Sequence, residues 1–113
     1  MVLYVLTFIA DPPAKAVTFT PEVVVFVGTI VRFECVIDGE GNPNSYTFTW
    51  TRTGDGSFRN VTDIGVLEFE ASSVEQTDKY FCTPGNTAGQ GKAATIQLLI
   101  HGEYQTSLST QTY

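Results

Sequence analysis

Residues 35–82 read CVIDGEGNPNSYTFTWTRTGDGSFRNVTDIGVLEFEASSVEQTDKYFC, a segment that begins and ends on the only two cysteines of the chain. Trp50, the only tryptophan, lies between them, and Tyr80 precedes the second cysteine by two residues. Apolar and polar residues alternate around each of these positions. The segment therefore predicts the fold of the whole chain.

Four short runs have the two-residue period of half-buried strands, namely 31–37, 46–52, 67–70 and 79–82. Because side chains alternate between the faces of a strand, Cys35, Trp50 and Cys82 are predicted to point inward. Two inward cysteines on different strands, beside a large indole, can bridge two sheets. Such a bridge would stabilise the domain by about 4 kcal/mol in the chain-entropy model.

Taken together, these residues resemble the signature of the immunoglobulin superfamily. The matching positions are Gly28, Cys35, Trp50, Leu67, Tyr80-x-Cys82 and Asn86-x-x-Gly89. The resemblance implies an all-β, immunoglobulin-like antiparallel β-sandwich with Greek-key connections and one inter-sheet disulfide between Cys35 and Cys82. The short spacing between Trp50 and Leu67 implies an intermediate or constant-type set, since two further middle strands would not fit.

One position departs from the family's pattern. The family usually has Asp-x-Gly-x-Tyr-x-Cys before the second cysteine, whereas this chain has Gln76 at the first position and Asp78 two residues later. Gln76 cannot form the ion pair that the family's aspartate often makes with a basic residue. We therefore expect the Tyr80 hydroxyl and the Gln76 amide to hold this corner of the fold.

Two alternatives concern the cysteines and the family. A structural disulfide predicts an oxidising compartment, but a pair of reduced buried thiols, as in cytosolic muscle members of the same family, also fits. Residues 46–56 further resemble the Tyr-x-Trp-x-x-Gly-Asp-Gly pattern of polycystic-kidney-disease repeats, another extracellular sandwich that does not require the cysteine pair. Either resemblance implies an antiparallel sandwich.

Length and charge exclude several function classes. The 113 residues, 42% of them hydrophobic, predict one domain with a continuous core. A net charge of -6 and an isoelectric point near 4.5 argue against binding to nucleic acid or to an anionic membrane surface. We expect a protein partner, and no cofactor or small-molecule substrate.

The chain divides into three predicted segments. Residues 1–14 join an apolar run, too short to cross a bilayer as a helix, to the prolines Pro12 and Pro13. This run is interpreted as the closing strand of a preceding domain or as the remnant of a leader. Residues 15–101 are the immunoglobulin-like domain, and 102–113 form a polar tail or linker. Any membrane attachment is expected to lie outside this chain.

No catalytic or metal site is predicted. The only histidine, His101, lies at the end of the last predicted strand, where no base and nucleophile pair can be recognised. One histidine and two cysteines that pair with each other cannot build a zinc site. Glu68 and Glu70 share the polar side of one strand and are predicted to be solvated.

Phe81 marks a candidate binding face. It alternates with the inward Tyr80 and Cys82, so it is predicted to point out of the sheet, and Phe58 is placed on the same side. The predicted face combines two aromatic anchors with polar neighbours: Phe58, Phe81, Lys79, Thr49, Thr51 and Gln97. Alternatively, Phe81 is a single exposed aromatic, or a neighbouring domain or the N-terminal run covers it.

A second candidate contact is the edge strand predicted at 22–27. Val23 and Val25 should face the core, which leaves Val24, Phe26 and Val27 on the outside. Edge pairing or packing through these residues would give a weak homodimer.

Asn60-Val61-Thr62 is an N-glycosylation sequon, and together with the cysteines it predicts the secretory pathway and an extracellular or cell-surface location. The resemblance implies a glycoprotein module for protein-protein recognition in cell adhesion or in a cell-surface receptor, of the kind found in tandem in nephrin-like molecules. Its partner would be homophilic or heterophilic. The alternatives are a structural spacer in a tandem array and a cytosolic muscle-type domain.

Overall fold

The computed structural model describes residues 10–39 and 41–102. The predicted leader or strand at residues 1–9 and the tail at 103–113 lie outside the described residues. One short 3-10 turn spans Val74–Gln76. The strands are β1 (Lys15–Val17), β2 (Glu22–Phe26), β3 (Ile30–Glu34), β4 (Val36–Asp38), β5 (Thr47–Arg52), β6 (Asp55–Thr62), β7 (Val66–Glu70), β8 (Asp78–Asn86), β9 (Gly89–Gln90) and β10 (Ala94–His101).

The strands form two layers. In the larger sheet the order is β2-β10-β8-β5-β6, with β9 paired to β8. The smaller layer consists of the pairs β1-β4 and β3-β7, and only Cys35 separates β3 from β4 along the chain. All pairs are antiparallel except β2 and β10, which run parallel. The predicted all-β, immunoglobulin-like sandwich is confirmed.

The first strand of the domain is divided between the two layers. β1 pairs with β4 in the smaller layer, whereas β2 pairs with β10 in the larger sheet. Pro21 lies at the crossover, where it interrupts strand pairing because it has no backbone N–H. Its carbonyl accepts a hydrogen bond of 2.8 Å from the Gln97 amide. This division makes β2 an edge of the larger sheet.

The interior confirms the predicted disulfide. Cys35 and Cys82 join the two layers, with their Cα atoms 6.8 Å apart. Trp50 is fully buried beside them, and Leu67 and Tyr80 are buried as well. The Trp50 indole N–H has no hydrogen-bond partner within the part of the chain that the structure describes.

An aromatic cluster connects the layers. The Phe33 ring lies 6.1 Å from Trp50, 5.2 Å from Tyr80 and 5.8 Å from Phe69, measured between ring centroids. Contacts at these distances each contribute about 0.5–1.5 kcal/mol beyond their buried area. Phe33 comes from β3 and Trp50 and Tyr80 from the larger sheet, so the cluster holds the layers together alongside the disulfide.

The corner between β7 and β8 is held as predicted by Tyr80 and Gln76. The Tyr80 hydroxyl donates a hydrogen bond of 2.6 Å to the Gln76 carbonyl. The Gln76 side-chain oxygen accepts from the amides of Ser72 and Ser73, which caps the 3-10 turn. Burial raises the pKa of the Tyr80 hydroxyl, because the interior disfavours the charged phenolate.

Asp78, for which the sequence predicted no role, supplies the ion pair that Gln76 cannot form. Its carboxylate lies 3.1 Å from the Arg52 Nε atom, and the two side chains are only 13% and 17% exposed. The same carboxylate accepts hydrogen bonds from the Gly54 amide at 2.6 Å and the Lys79 amide at 2.8 Å. The Arg52 guanidinium also donates to the Glu75 carbonyl at 3.1 Å. The pair therefore joins the β5-β6 hairpin to the start of β8.

Candidate recognition face

The outer side of the larger sheet carries five of the six residues predicted for the binding face. Register pairs Thr51 with Phe81 and Phe81 with Thr95, so these three lie side by side across β5, β8 and β10. Phe81 is half-buried and Thr95 is exposed. In the next row, Lys79 lies beside Gln97. Thr49 is on the same side of β5, although its neighbours bury it.

The sixth residue, Phe58, is not on this face, and its predicted position was wrong. Its ring meets the Tyr80 ring edge-on at 5.9 Å and packs against the core. The reason is a register shift in the hairpin. Trp50 pairs with Asn60 and Arg52 pairs with Asp55, so an advance of two residues along β5 corresponds to five residues along β6. A shift by an odd number of residues moves side chains to the opposite side of a strand.

The predicted edge contact joins the same face. Because β2 pairs with β10, Val24 lies beside Leu99 and Phe26 beside His101. Val24 is 61% exposed, Phe26 43% and Leu99 41%, and the Phe26 and His101 rings are 5.5 Å apart. Val27, just after the strand, is also exposed. The two sets of residues predicted separately therefore form one surface.

We call this surface the recognition face and define it by the outward residues of four adjacent strands: Val24, Phe26, Thr51, Lys79, Phe81, Thr95, Gln97, Leu99 and His101. The prediction missed Thr95, Leu99 and His101. Strand alternation could have placed them on this face, because they alternate with the inward Ile96, Leu98 and Ile100.

The smaller layer presents a different outer side. Arg32 on β3 pairs with Glu34 and lies 3.6 Å from Glu68 on β7. Each of these side chains is more than half exposed. Glu70 is exposed on the same layer. Both glutamates are therefore solvated, as predicted. Ile30 is the large apolar residue on this side of β3, at 61% exposure.

The sequon lies on the opposite edge of the larger sheet from β2. Asn60 is exposed on β6 and pairs with the inward Trp50, so its side chain leaves the sheet on the side away from the recognition face. The hydroxyl of Thr62, the third residue of the sequon, donates to the Ile64 carbonyl. A glycan at Asn60 would leave the recognition face uncovered.

The described residues contain few features of other kinds of site. They enclose no pocket, and they bring together no group of three or more His, Cys, Asp or Glu that could hold a metal ion. Among these residues no helix has the length and apolar character needed to cross a membrane.

Comparison with known proteins gave structural matches only. No protein-family model matches the sequence, and no curated protein matches it. The four N-terminal Ig domains of Dscam1 isoform 9.44 match with 25% identity and a TM-score of 0.59, over 78% of this chain and 21% of that one. A structure described as the basis for Dscam isoform specificity matches with 24% identity and a TM-score of 0.61, over 81% and 22% of the two chains.

A third match is the full ectodomain, Ig1 to Ig3, of mouse nectin-like molecule 4. The identity is 18% and the TM-score 0.60, over 92% of this chain and 33% of that one. This chain thus spans about a fifth to a third of the tandem structures that it matches. Because the layers, the disulfide and these neighbours agree, the chain is an immunoglobulin-superfamily domain, similar to those that stand in tandem in cell-adhesion molecules.

Proposed function

We propose that this chain is an extracellular module that recognises a protein partner through the recognition face. The observation that carries the proposal is the exposure of Val24, Leu99 and Phe26 together on the outer side of one sheet. The same side carries the half-buried Phe81, separated from Leu99 by the row of Lys79 and Gln97. Apolar and aromatic side chains on a rigid sheet are the usual anchors of protein interfaces.

The charge distribution supports the same face. The chain has a net charge of -6, and acidic side chains dominate the outer side of the smaller layer. Glu22, at the start of β2 beside the recognition face, lies on one side of Gln97 and Lys79 lies on the other, so the two charges offset each other. A partner that docks there meets little like-charge repulsion.

An extracellular location is supported by the disulfide, since such bonds persist in oxidising compartments. The exposed sequon at Asn60 fits the same route. The structural matches support a recognition role, because they include tandem Ig domains of Dscam1 and a structure described as the basis for Dscam isoform specificity. The proposal includes no catalysis. A catalytic role for His101 would need it to be buried beside a nucleophile, whereas it is exposed beside Phe26.

The first experiment is sedimentation equilibrium on the secreted, glycosylated domain over a wide concentration range. If the partner is a second copy, we expect reversible dimers, and Phe81→Glu or Leu99→Glu should raise the dissociation constant at least about tenfold. Ile30→Glu is the matched control, because it places the same charge on an exposed apolar site of the other layer. Equal loss in the control would contradict the assigned face.

A monomer at every concentration would point to a heterophilic partner or to a spacer. Beads that carry the wild-type domain would then be compared with Phe81→Glu beads for binding to cell surfaces. Equal binding, or none, would support the spacer and reject the recognition face. The cytosolic muscle-type alternative has its own test, because the intact mass of the native chain would have to match the fully reduced form.

A further inference from the structure

Residues 11–14, which immediately precede β1, are hydrogen-bonded to the end of the sandwich. Asp11 and Asn42 exchange two main-chain hydrogen bonds of 2.7 and 2.8 Å. Three residues later, the Ala14 amide donates to the Gly39 carbonyl at 2.8 Å, and the Ala14 carbonyl accepts from the Lys92 amide at 3.0 Å. Residues 11–14 thus have partners in the loop after β4 and in the chain after β9.

The Asn86 side chain ties these segments together. Its amide nitrogen donates to the Asp11 carbonyl and to the Pro43 carbonyl, both at 2.8 Å. Its oxygen accepts from the amides of Ala88 and Gly89, at 2.8 and 3.2 Å, and so also closes the turn after β8. One side chain therefore fixes the loop, the turn and residues 11–14 relative to each other.

Three glycines leave the space that residues 11–14 occupy. A Cβ at Gly91 would collide with the Pro13 carbonyl, and a Cβ at Gly41 would collide with the Asp11 carbonyl. A Cβ at Gly39 would lie 2.6 Å from the Ala14 Cβ atom. Pro13 is buried in this passage. Any larger residue at these glycines would displace the backbone that runs past them.

We propose that these residues form a clasp that fixes the direction in which the chain enters the sandwich. The clasp consists of Gly39, Gly41, Asn42, Asn86 and Gly91, and its occupant is residues 11–14 of this same chain. The direction of the backbone at Ala10 and Asp11 is then set relative to the sheets instead of varying as it would in a free linker. Two prolines stiffen the same four residues. This role is independent of what the recognition face binds.

The first test is amide hydrogen exchange of Asp11 and Ala14, followed by NMR. In the wild-type chain both amides should exchange on the order of 100-fold more slowly than in an unstructured peptide. Gly91→Ala should make both amides exchange at least about tenfold faster, because the added methyl group would displace residues 11–14. Asn86→Asp should do the same without added bulk, because a carboxylate keeps the acceptor for the turn but cannot donate to the Asp11 carbonyl. The core amides of Cys82 and Ile96 serve as internal references.

The second test measures orientation, which a merely stabilising contact would not control. Spin labels on Ala10→Cys and Ser72→Cys, at opposite ends of the sandwich, should give a narrow distance distribution in the wild-type background. Gly91→Ala and Asn86→Asp should broaden it. Gly56→Ala is the control, because a Cβ there meets nothing within 4 Å.

Any of three results would overturn the clasp. One is a broad distribution, or unprotected Asp11 and Ala14 amides, in the wild-type background. Another is a distribution that stays narrow in both clasp variants. Broadening in Gly56→Ala equal to that in Gly91→Ala would also reject it, since the effect would then come from any added methyl group.

Discussion

The two ends of the sandwich are held by different chemistry, although one strand supplies the central residue of each. β8 begins at Asp78 and ends at Asn86, about 26 Å away along an extended strand. At the corner end, Asp78 forms a largely buried ion pair with Arg52, beside Tyr80. At the clasp end, Asn86 makes neutral hydrogen bonds to main-chain carbonyls, and glycines admit the backbone of residues 11–14.

This difference predicts whether a substitution lowers the stability of the whole domain or only disturbs local structure. The corner-end side chains point inward and contact the core, so their loss leaves unpaired charge or polar groups away from water. The clasp-end bonds lie at the surface of the fold, where water can replace them once residues 11–14 detach. We expect the corner end to contribute to global stability and the clasp end to local order.

The largest effect should come from breaking the ion pair at the corner end. Arg52→Ala or Asp78→Ala should lower the free energy of unfolding by about 2–3 kcal/mol, because each leaves a largely buried charge without its partner. Urea unfolding of both single variants and of the double variant gives the coupling energy. Lys15→Ala is the control, since the Lys15–Asp38 pair is exposed at 3.7 Å and should be worth less than about 0.5 kcal/mol. Equal losses at the two pairs would contradict the comparison.

Removing the Tyr80 hydroxyl should have the next largest effect. Tyr80→Phe leaves the Gln76 carbonyl without its donor and should cost about 1–1.5 kcal/mol near neutral pH. Thermal or urea unfolding measures the loss. A cost below a few tenths of a kcal/mol would mean that water replaces this bond easily, as we expect at the clasp end.

The same hydroxyl should make the stability of the domain depend on pH in the alkaline range. Because burial raises the pKa of Tyr80 in the folded chain above its ordinary value of 10.0, the folded state keeps a proton that the unfolded state loses. Stability from this group is therefore present below about pH 10 and is lost as the pH rises through the higher, folded-state pKa. The free energy of unfolding, measured at a series of pH values across this range, should decrease more steeply with pH for the wild type than for Tyr80→Phe. Parallel curves would contradict the prediction.

At the clasp end, Asn86→Asp should change global stability by about 1 kcal/mol or less, despite removing two hydrogen bonds. The physical reason is that residues 11–14 can leave the clasp while the sheets stay folded. Urea unfolding gives the global value for comparison with the local exchange rates of Ala14. A loss as large as that of Asp78→Ala would show that the two ends are equally integrated into the core.

The smallest effect should be at Asp55, an exposed carboxylate near the corner end. Hydrogen bonds from the Ser57 hydroxyl and amide hold the pKa of Asp55 below its ordinary value of 3.8. Its contribution to stability is present above that value and disappears as the pH falls through the lowered pKa. Ser57→Ala should raise the pKa of Asp55 in an NMR titration, with no measurable change in stability at neutral pH. A large stability change would contradict the distinction between exposed and buried carboxylates.

Much of the recognition face followed from strand periodicity. Phe81, Lys79 and Gln97 were placed outward because alternation along one strand is a local property. The union of that face with Val24 and Phe26 could not be predicted, since it depends on the parallel pairing of β2 with β10 across the sheet. Phe58 was misplaced for a related reason. The register shift in the β5-β6 hairpin is decided by pairing between strands and not by the residues of β6 alone.

Local alternation in the sequence was enough to predict that Cys35, Trp50 and Cys82 point inward, because strand alternation acts over a few neighbours. The sandwich and the Cys35–Cys82 disulfide were implied by the resemblance to the immunoglobulin signature, since the two cysteines lie 47 residues apart in the sequence. Only the tertiary structure decided that Asp78 pairs with Arg52 and that residues 11–14 pass between Gly41 and Gly91. These contacts join segments that are distant in sequence. Their partners are chosen by how whole strands and loops meet in space, which no local period specifies.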